Sequence, residues 1–217
     1  MAAAQDHINN KQVAAIVKWT ISNSEAIQLF QHWKECTDCQ NRLIKYKSIN
    51  PIYSNTVVPD NTKKRVQHFT YNQFKFDFSV SKFGVNKIDV SYPVGDANSL
   101  EHNTDNKPAT ELINFLKNYT DGHKTRFYNI DPSYIDTNFR REVLFWTSLI
   151  PYGETICYSK IGKWMNNKCA QAIGQALHKN PLPIIIPCHR VIGKDGSLTG
   201  FASGLKLKKK LLQMEQN

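Results

Sequence analysis

The chain has 217 residues, 41% of them hydrophobic and 11% aromatic, which describes a globular protein long enough to bury a proper core. No stretch approaches the ~18 consecutive apolar residues of a membrane span, and Met1 to Asp6 lacks the basic-then-apolar pattern of a secretory signal. The net charge of +10 is uneven: residues 131–217 carry twelve Lys/Arg against six Asp/Glu, a balance that predicts a polyanionic partner, nucleic acid before a membrane surface.

Residues 1–65 read as an N-terminal extension of unassigned fold. Helices are predicted over Val13 to Trp19 and Ser24 to Trp33, with turns at Asn50-Pro51 and Pro59-Asp60-Asn61. Cys36-Thr37-Asp38-Cys39 has the spacing of metal ligands, and His32 lies one turn earlier. No second pair follows, so the expectation is two free thiols and no metal. With an odd number of scattered cysteines, five in all, the chain is expected to keep its thiols free in a reducing compartment.

Residues 66–130 read as a small α/β domain. Phe74, Phe76, Phe78 and Val80 alternate with polar residues, Gly84-Val85-Asn86 is a turn signal, and Ile88, Val90 and Tyr92 alternate on the return. A helix is predicted at Glu111–Tyr119, ended by Asp121-Gly122, and 122–137 reads as a linker.

Residues 131–217 open with a helix over Asn138–Leu149, stopped by Pro151-Tyr152-Gly153. Two short helices follow, Ser159–Trp164 and Lys168–His178, joined at Asn166-Asn167 in the shape of a helix-turn-helix. The second is unusually smooth, carrying Ala170, Ala172, Gly174 and Ala176. Gly193 to Gly196 marks a tight turn. A last helix, Leu205–Met214, is expected to bury Leu207, Leu211, Leu212 and Met214 and to expose Lys206, Lys208, Lys209 and Lys210. These lysines, with Lys63-Lys64-Arg65, are basic clusters compatible with nuclear import, or with solvated surface or phosphate contacts.

The residues richest in chemistry are Pro187-Cys188-His189-Arg190-Val191, set directly after the apolar run 183–186. A thiol is a nucleophile only as thiolate, and a neighbouring imidazole or cation favours that form. His189 and Arg190 are both candidate activators. A zinc nucleobase deaminase would need a second cysteine three residues on, where Val191 stands. A papain-like protease would open a helix at its cysteine, which Gly193 and Gly196 forbid.

Five co-ordered segments widen the pattern: Pro151-Tyr152-Gly153-Glu154-Thr155, Tyr158-Ser159, Asn180-Pro181, Pro187 to Ile192, and Gly200-Phe201 with Gly204. Together they resemble the O6-alkylguanine-DNA alkyltransferases, the methylated-DNA–protein-cysteine methyltransferases, over residues 138–215. The resemblance implies a ribonuclease H-like α/β N-terminal domain and a mainly α C-terminal domain with a winged or helix-turn-helix DNA-binding motif. It implies direct-reversal repair of double-stranded DNA carrying O6-alkylguanine, by a monomer that acts once and needs no cofactor, in the nucleus or, in a prokaryote, the cytoplasm.

By the same resemblance, Cys188 is the alkyl acceptor and His189 its base, working through a water. Glu215 orients and charges His189, Asn180 braces the turn before the cysteine, and Tyr158 helps neutralise the leaving guanine. Ala170, Gln171, Gly174 and Arg190 are expected at DNA, with the smooth helix in the minor groove. Phe201 and Ala202 are expected in the wall of the substrate pocket. Most relatives carry an arginine at the position of Gln171 to fill the gap left by the flipped nucleotide, so weaker flipping is expected here. The rival reading is an alkyltransferase-like protein that binds the lesion and recruits other repair factors. Such relatives typically lack the cysteine, so Cys188 argues for transfer, while Gln171 leaves the rival open.

Overall fold

Phenylalanine alternation builds the sheet. In a computed structural model that describes residues 7–53, 66–95, 99–101, 106–166 and 169–216, strands β2 (Phe74–Ser81) and β3 (Gly84–Ser91) pair antiparallel, with Phe76 opposite Val90 and Phe78 opposite Ile88. The period-2 pattern puts all four on the buried face. Strand β1 (Gln67–Tyr71) pairs with β2, and β4 (Ser99–Glu101) with β1, giving the order β3-β2-β1-β4.

The turn signal is displaced by one step. Gly84-Val85-Asn86 open β3, and the reversal falls at Lys82-Phe83. Gly84 is needed for another reason: at φ +136° a side chain there would be strained, and its Cβ would lie 2.5 Å from the Asn129 carbonyl oxygen. That close approach docks segment 122–137. Val85 N–H donates to the Asn129 carbonyl and Asp131 N–H to that of Val85.

Helix α4 (Lys107–Thr120) starts earlier than its apolar stripe suggests, because Asn106 caps it and Pro108 sits in its first turn. It packs on β1 and β3 through Leu112, Leu116 and their neighbours.

Residues 7–53 form three helices, α1 (Asn10–Val17), α2 (Asn23–Trp33) and α3 (Thr37–Lys45). A capping box between Asn9 and Gln12 starts α1 ahead of Val13. Helix α3 buries Cys39 and Leu43 only, too thin a stripe to read as a periodic pattern. The three helices lie on the C-terminal ones: Trp33 packs against Trp146 and Trp164, and Trp19 Nε1 donates to Ser148 Oγ at 3.1 Å.

The C-terminal part is helical. Helix α5 (Asn138–Ser148) runs through its centre, buried from Val143 onward. Strand β5 (Ile156–Cys157) leads into α6 (Tyr158–Trp164), followed by α7 (Ala170–His178). A single 3-10 turn holds Cys188–Arg190, then come β6 (Val191–Ile192) and α8 (Leu205–Glu215). The parallel pair β5–β6 sets Ile156 beside Val191 and so brings the start of α6 to the cysteine segment. Pro59 to Asn61, Lys63 to Arg65, Asn167 and Lys168 lie outside the described residues. Lys208, expected on the exposed face of the last helix, is fully buried instead. No helix among the described residues is long and apolar enough to cross a membrane.

Candidate active site

Cys188 is delivered by a clamped, strained segment. After α7 the Asn180 side chain turns the chain on itself: its Oδ1 accepts from Leu182 N–H at 3.0 Å, and its Nδ2 donates to the Ile186 carbonyl at 2.8 Å. Between these points Ile184 sits at φ 71°, a conformation that a β-branched residue adopts at a cost of about 1–3 kcal/mol. The clamp and its burial hold it there. The 3-10 turn then sets Cys188, 7% exposed, in a cavity of about 460 Å³ whose wall includes Asn180, Pro181, Phe201 and Ala202, with Ile88 of β3 at its edge.

Burial pushes the Cys188 thiol above its ordinary value of 9.0. Three things oppose burial without overcoming it: the Asn180 Nδ2 donor 3.1 Å from Sγ, the Lys208 cation, and backbone hydrogen bonds from Cys188 and His189. A resting thiolate, as the Cys-His pair predicts, is therefore not what the site holds. The thiol stays protonated until a base takes its proton.

That base is ready. Burial lowers the basicity of His189 more than Glu215 restores it, so the imidazole is neutral. Its Nε2 lies 2.8 Å from Glu215 Oε1. A carboxylate only accepts, so Nε2 carries the hydrogen and Nδ1 keeps its lone pair. Nδ1 is buried and has no hydrogen-bond partner among the described residues.

Glu215 collects donors from three segments. Besides His189 it accepts from Arg190 Nε and Nη2, each at 2.8 Å, from the Tyr119 hydroxyl at 2.6 Å and from Gly153 N–H at 3.2 Å. Burial alone would raise this carboxyl, but Arg190 and His189 prevail and hold it well below 4.5. Arg190 also donates to the Ile150 carbonyl, at 2.6 Å. Its expected role at DNA is thereby corrected: the guanidinium is buried and turned inward, where the carboxylate satisfies it in a two-pronged pair.

On the other side of the cysteine, the Tyr158 hydroxyl donates to the Thr199 carbonyl at 2.9 Å. The buried Lys208 Nζ donates to that same carbonyl at 2.9 Å and to Val191 at 2.6 Å, and lies 5.8 Å from the centre of the Tyr158 ring. Burial lowers Lys208 to about 8. Gly200 sits at φ +59°, a conformation L side chains rarely adopt, while a Cβ there would make only ordinary contact, 3.5 Å, with the phenol oxygen. Ala170 and Gln171 on α7 are exposed and Gly174 is half-buried, its Cα beside the Tyr158 ring.

Comparison with known proteins bears on this arrangement directly. The family model described as "6-O-methylguanine DNA methyltransferase, DNA binding domain" matches residues 138–217. The Methanosarcina mazei methylated-DNA–protein-cysteine methyltransferase is 44% identical over 110 residues, which are 49% of this chain and 68% of that protein. The chain belongs to the methylated-DNA–protein-cysteine methyltransferase family. The inducible Bacillus subtilis member is 41% identical over 111 residues, covering 50% of this chain and 58% of that one. The match thus spans between about half and two thirds of such curated relatives. Among solved structures, Mycobacterium tuberculosis OGT in complex with DNA aligns at a TM-score of 0.57 and 29% identity, over 70% of this chain and 92% of that one. Such neighbours share the α/β N-terminal region and helical C-terminal domain.

Within that family frame, the structure brings Cys188, His189, Glu215, Asn180 and Tyr158 to one place, and Phe201 and Ala202 to the cavity wall. Two members of the site carried no signal in sequence. Tyr119 looks like one more apolar position on α4, and Lys208 like one of four solvated lysines. A third group outside the site, His7, lies against Cys36 and Cys39 and completes a cluster with His32 that could hold a metal ion.

Two outcomes follow. Because the folded carboxyl of Glu215 lies below its unfolded value of 4.5, its contribution to stability is complete above about pH 4.5 and drains as pH falls through the lower folded value. Glu215→Gln is expected to cost roughly 3–5 kcal/mol at pH 7 in urea denaturation, with the gap to wild type narrowing below pH 4.5. A gap unchanged down to pH 3 would mean that the charge contributes nothing. Second, the pH profile of iodoacetamide labelling at Cys188, read by mass spectrometry, should place its pKa above 9.0 in the free protein and higher still in Asn180→Ala. A midpoint near 7 would overturn the protonated resting thiol.

Proposed function

We propose that the chain repairs double-stranded DNA by direct reversal, moving an alkyl group from O6 of guanine to Cys188, once per molecule, as a monomer without a cofactor. The observation that carries this reading is a single cysteine in a cavity large enough to admit a purine base, with Asn180 on its sulfur and the Glu215–His189 pair behind it.

The step is a displacement at carbon. The Cys188 sulfur forms a bond to the alkyl carbon as the carbon–O6 bond breaks, and the bonding electrons pass to the guanine. The thiol proton goes to His189 Nδ1, the lone pair left available, through a water. Glu215 stabilises the imidazolium that results. Tyr158 gives the guanine the proton it needs and regains one from the His189 imidazolium by way of solvent, so that the net change is the thiol proton passing to guanine as the alkyl group passes to sulfur. Lys208, 5.8 Å from that ring, favours the electron-rich forms of both phenol and sulfur.

The reading of α6 and α7 as a helix-turn-helix, in a winged or related domain, is supported by their order and by the exposed Ala170 and Gln171 and half-buried Ala172 and Gly174 on α7. Ala170, Gln171 and Gly174 suit a minor groove about 6 Å wide. The target base leaves the stack because the reacting atom is otherwise occupied in pairing. The sheet order with α4 against one face supports a ribonuclease H-like N-terminal region. Lys206, Lys209 and Lys210 stay at the surface of α8, where they serve phosphate contacts or nuclear import.

DNA labelled on the O6-methyl carbon tests the core of this. One methyl should appear on Cys188, and Cys188→Ala should abolish transfer while keeping DNA binding. Label on Cys157 or Cys169 would sink the assignment, and binding without transfer by the intact protein would favour a lesion-recognition role. Gln171 gives a sharper test. If base flipping limits the rate, Gln171→Arg should speed repair of duplex by ~1–2 kcal/mol, or about tenfold, with little effect on free O6-benzylguanine. Equal acceleration on both substrates would place the residue's effect in the pocket.

A further inference from the structure

Outside the cavity, at the corner between α2 and α3, four side chains of ligand chemistry converge: His7 from the segment before α1, His32 from the last turn of α2, Cys36 at the cap of α3 and Cys39 in its first turn. One donor atom from each lies within 4.8 Å of all the others. Three of these approaches are nitrogen to sulfur: His32 Nε2 to Cys39 Sγ at 3.3 Å, and His7 Nδ1 to Cys36 and Cys39 Sγ at 3.4 and 3.5 Å.

Those distances have a specific meaning. In a tetrahedron with zinc–sulfur bonds near 2.3 Å and zinc–nitrogen bonds near 2.0 Å, the nitrogen–sulfur edge is about 3.5 Å. Two thiols left to themselves gain little from two imidazole nitrogens aimed at them, and a disulfide would have no use for either ring. A divalent cation uses all four, and two thiolates neutralise it.

We propose that His7, His32, Cys36 and Cys39 form a structural zinc(II) site that staples the N-terminal arm to the α2–α3 corner. The groups around the ligands fit this role. The far nitrogen of His7, Nε2, faces the Asp38 carboxylate at 3.7 Å, which fixes the ring with Nδ1 toward the sulfurs. Arg42 of α3 holds the arm down, donating to the Ile8 carbonyl and, at 2.9 Å, to Asn10 Oδ1. All four ligands come from side chains, so no coordination position is left for substrate, and the site is closed.

The staple has a purpose in the packing. Residues 7–53 are a short helical unit, of the size that gains most from a metal. The segment that joins its ligand-bearing helices is also its dock on α6: the Lys34 carbonyl accepts from Trp164 Nε1 at 3.1 Å, and Glu35 pairs with Lys160. Fixing Cys36 and Cys39 therefore fixes the surface on which α6 rests. This site is independent of the alkyl-transfer reading, and its test has no activity readout.

Untagged full-length protein, purified under reducing conditions and dialysed against zinc, should hold one zinc per chain by elemental mass spectrometry. Exchange with cobalt(II) should give the intense ligand-field bands of a tetrahedral ion and a thiolate-to-cobalt charge-transfer band. Cys36→Ser and His7→Ala should each weaken binding by about 100-fold or more, Asp38→Asn by about tenfold, and Cys169→Ser should leave the single zinc in place. Wild-type protein without stoichiometric zinc, an octahedral cobalt spectrum, or one zinc retained unchanged in both Cys36→Ser and His7→Ala would overturn the proposal. If the ligand variants do not fold, the cobalt spectrum of the wild type and the chelator release rate of Asp38→Asn still decide it.

Discussion

A single buried carboxylate holds the site together. Glu215, 4% exposed at the end of α8, receives hydrogen bonds from the 3-10 turn that carries Cys188, from the turn after α5 and from α4 of the α/β region. An unpaired charge at that depth would be untenable, so its partners must be present together. Arg190 neutralises it, His189 donates one hydrogen bond to it, and Tyr119 donates another. The carboxylate thus joins four chain segments and sets the imidazole tautomer. Removing any donor leaves the others with a charge that burial penalises.

The same burial sets the character of the nucleophile. A thiol that is 7% exposed resists ionisation, which lowers its reactivity toward stray electrophiles at rest. The base beside it is kept neutral by the same desolvation. In the proposed displacement, proton transfer between two neutral groups creates an ion pair, and each new charge has a counterpart nearby: Glu215 for the imidazolium, Asn180 and Lys208 for the sulfur.

The N-terminal helices belong to the same body. Trp33 sits among Trp146 of α5 and Trp164 of α6, while the Tyr128 hydroxyl donates to the Trp19 carbonyl at 2.6 Å. Residues 7–53 therefore brace the helix pair that presents Gln171, and a metal-held corner at Cys36 would stiffen that brace.

Period and punctuation in the sequence determined the local structure. Alternating phenylalanines set the pairing face of β2, small residues marked α7, and Pro187-Cys188-His189 with Asn180 located the site, because these signals act within a few residues of each other. Tertiary structure alone decided which polar groups face inward. Arg190 reads as a surface cation until Glu215 arrives from 25 residues away, and Tyr119 reads as core until the same carboxylate reaches it across 96. Lys208 stands in a run of lysines, yet it falls on the buried face of α8 with Leu211 and Glu215, where the carbonyls of Val191 and Thr199 accept from it. His7 lacks any spacing to Cys36 that a motif would mark, and only the docking of the arm on α3 puts its nitrogen beside the two sulfurs. A buried polar group is placed by partners distant in sequence, and no local pattern records them.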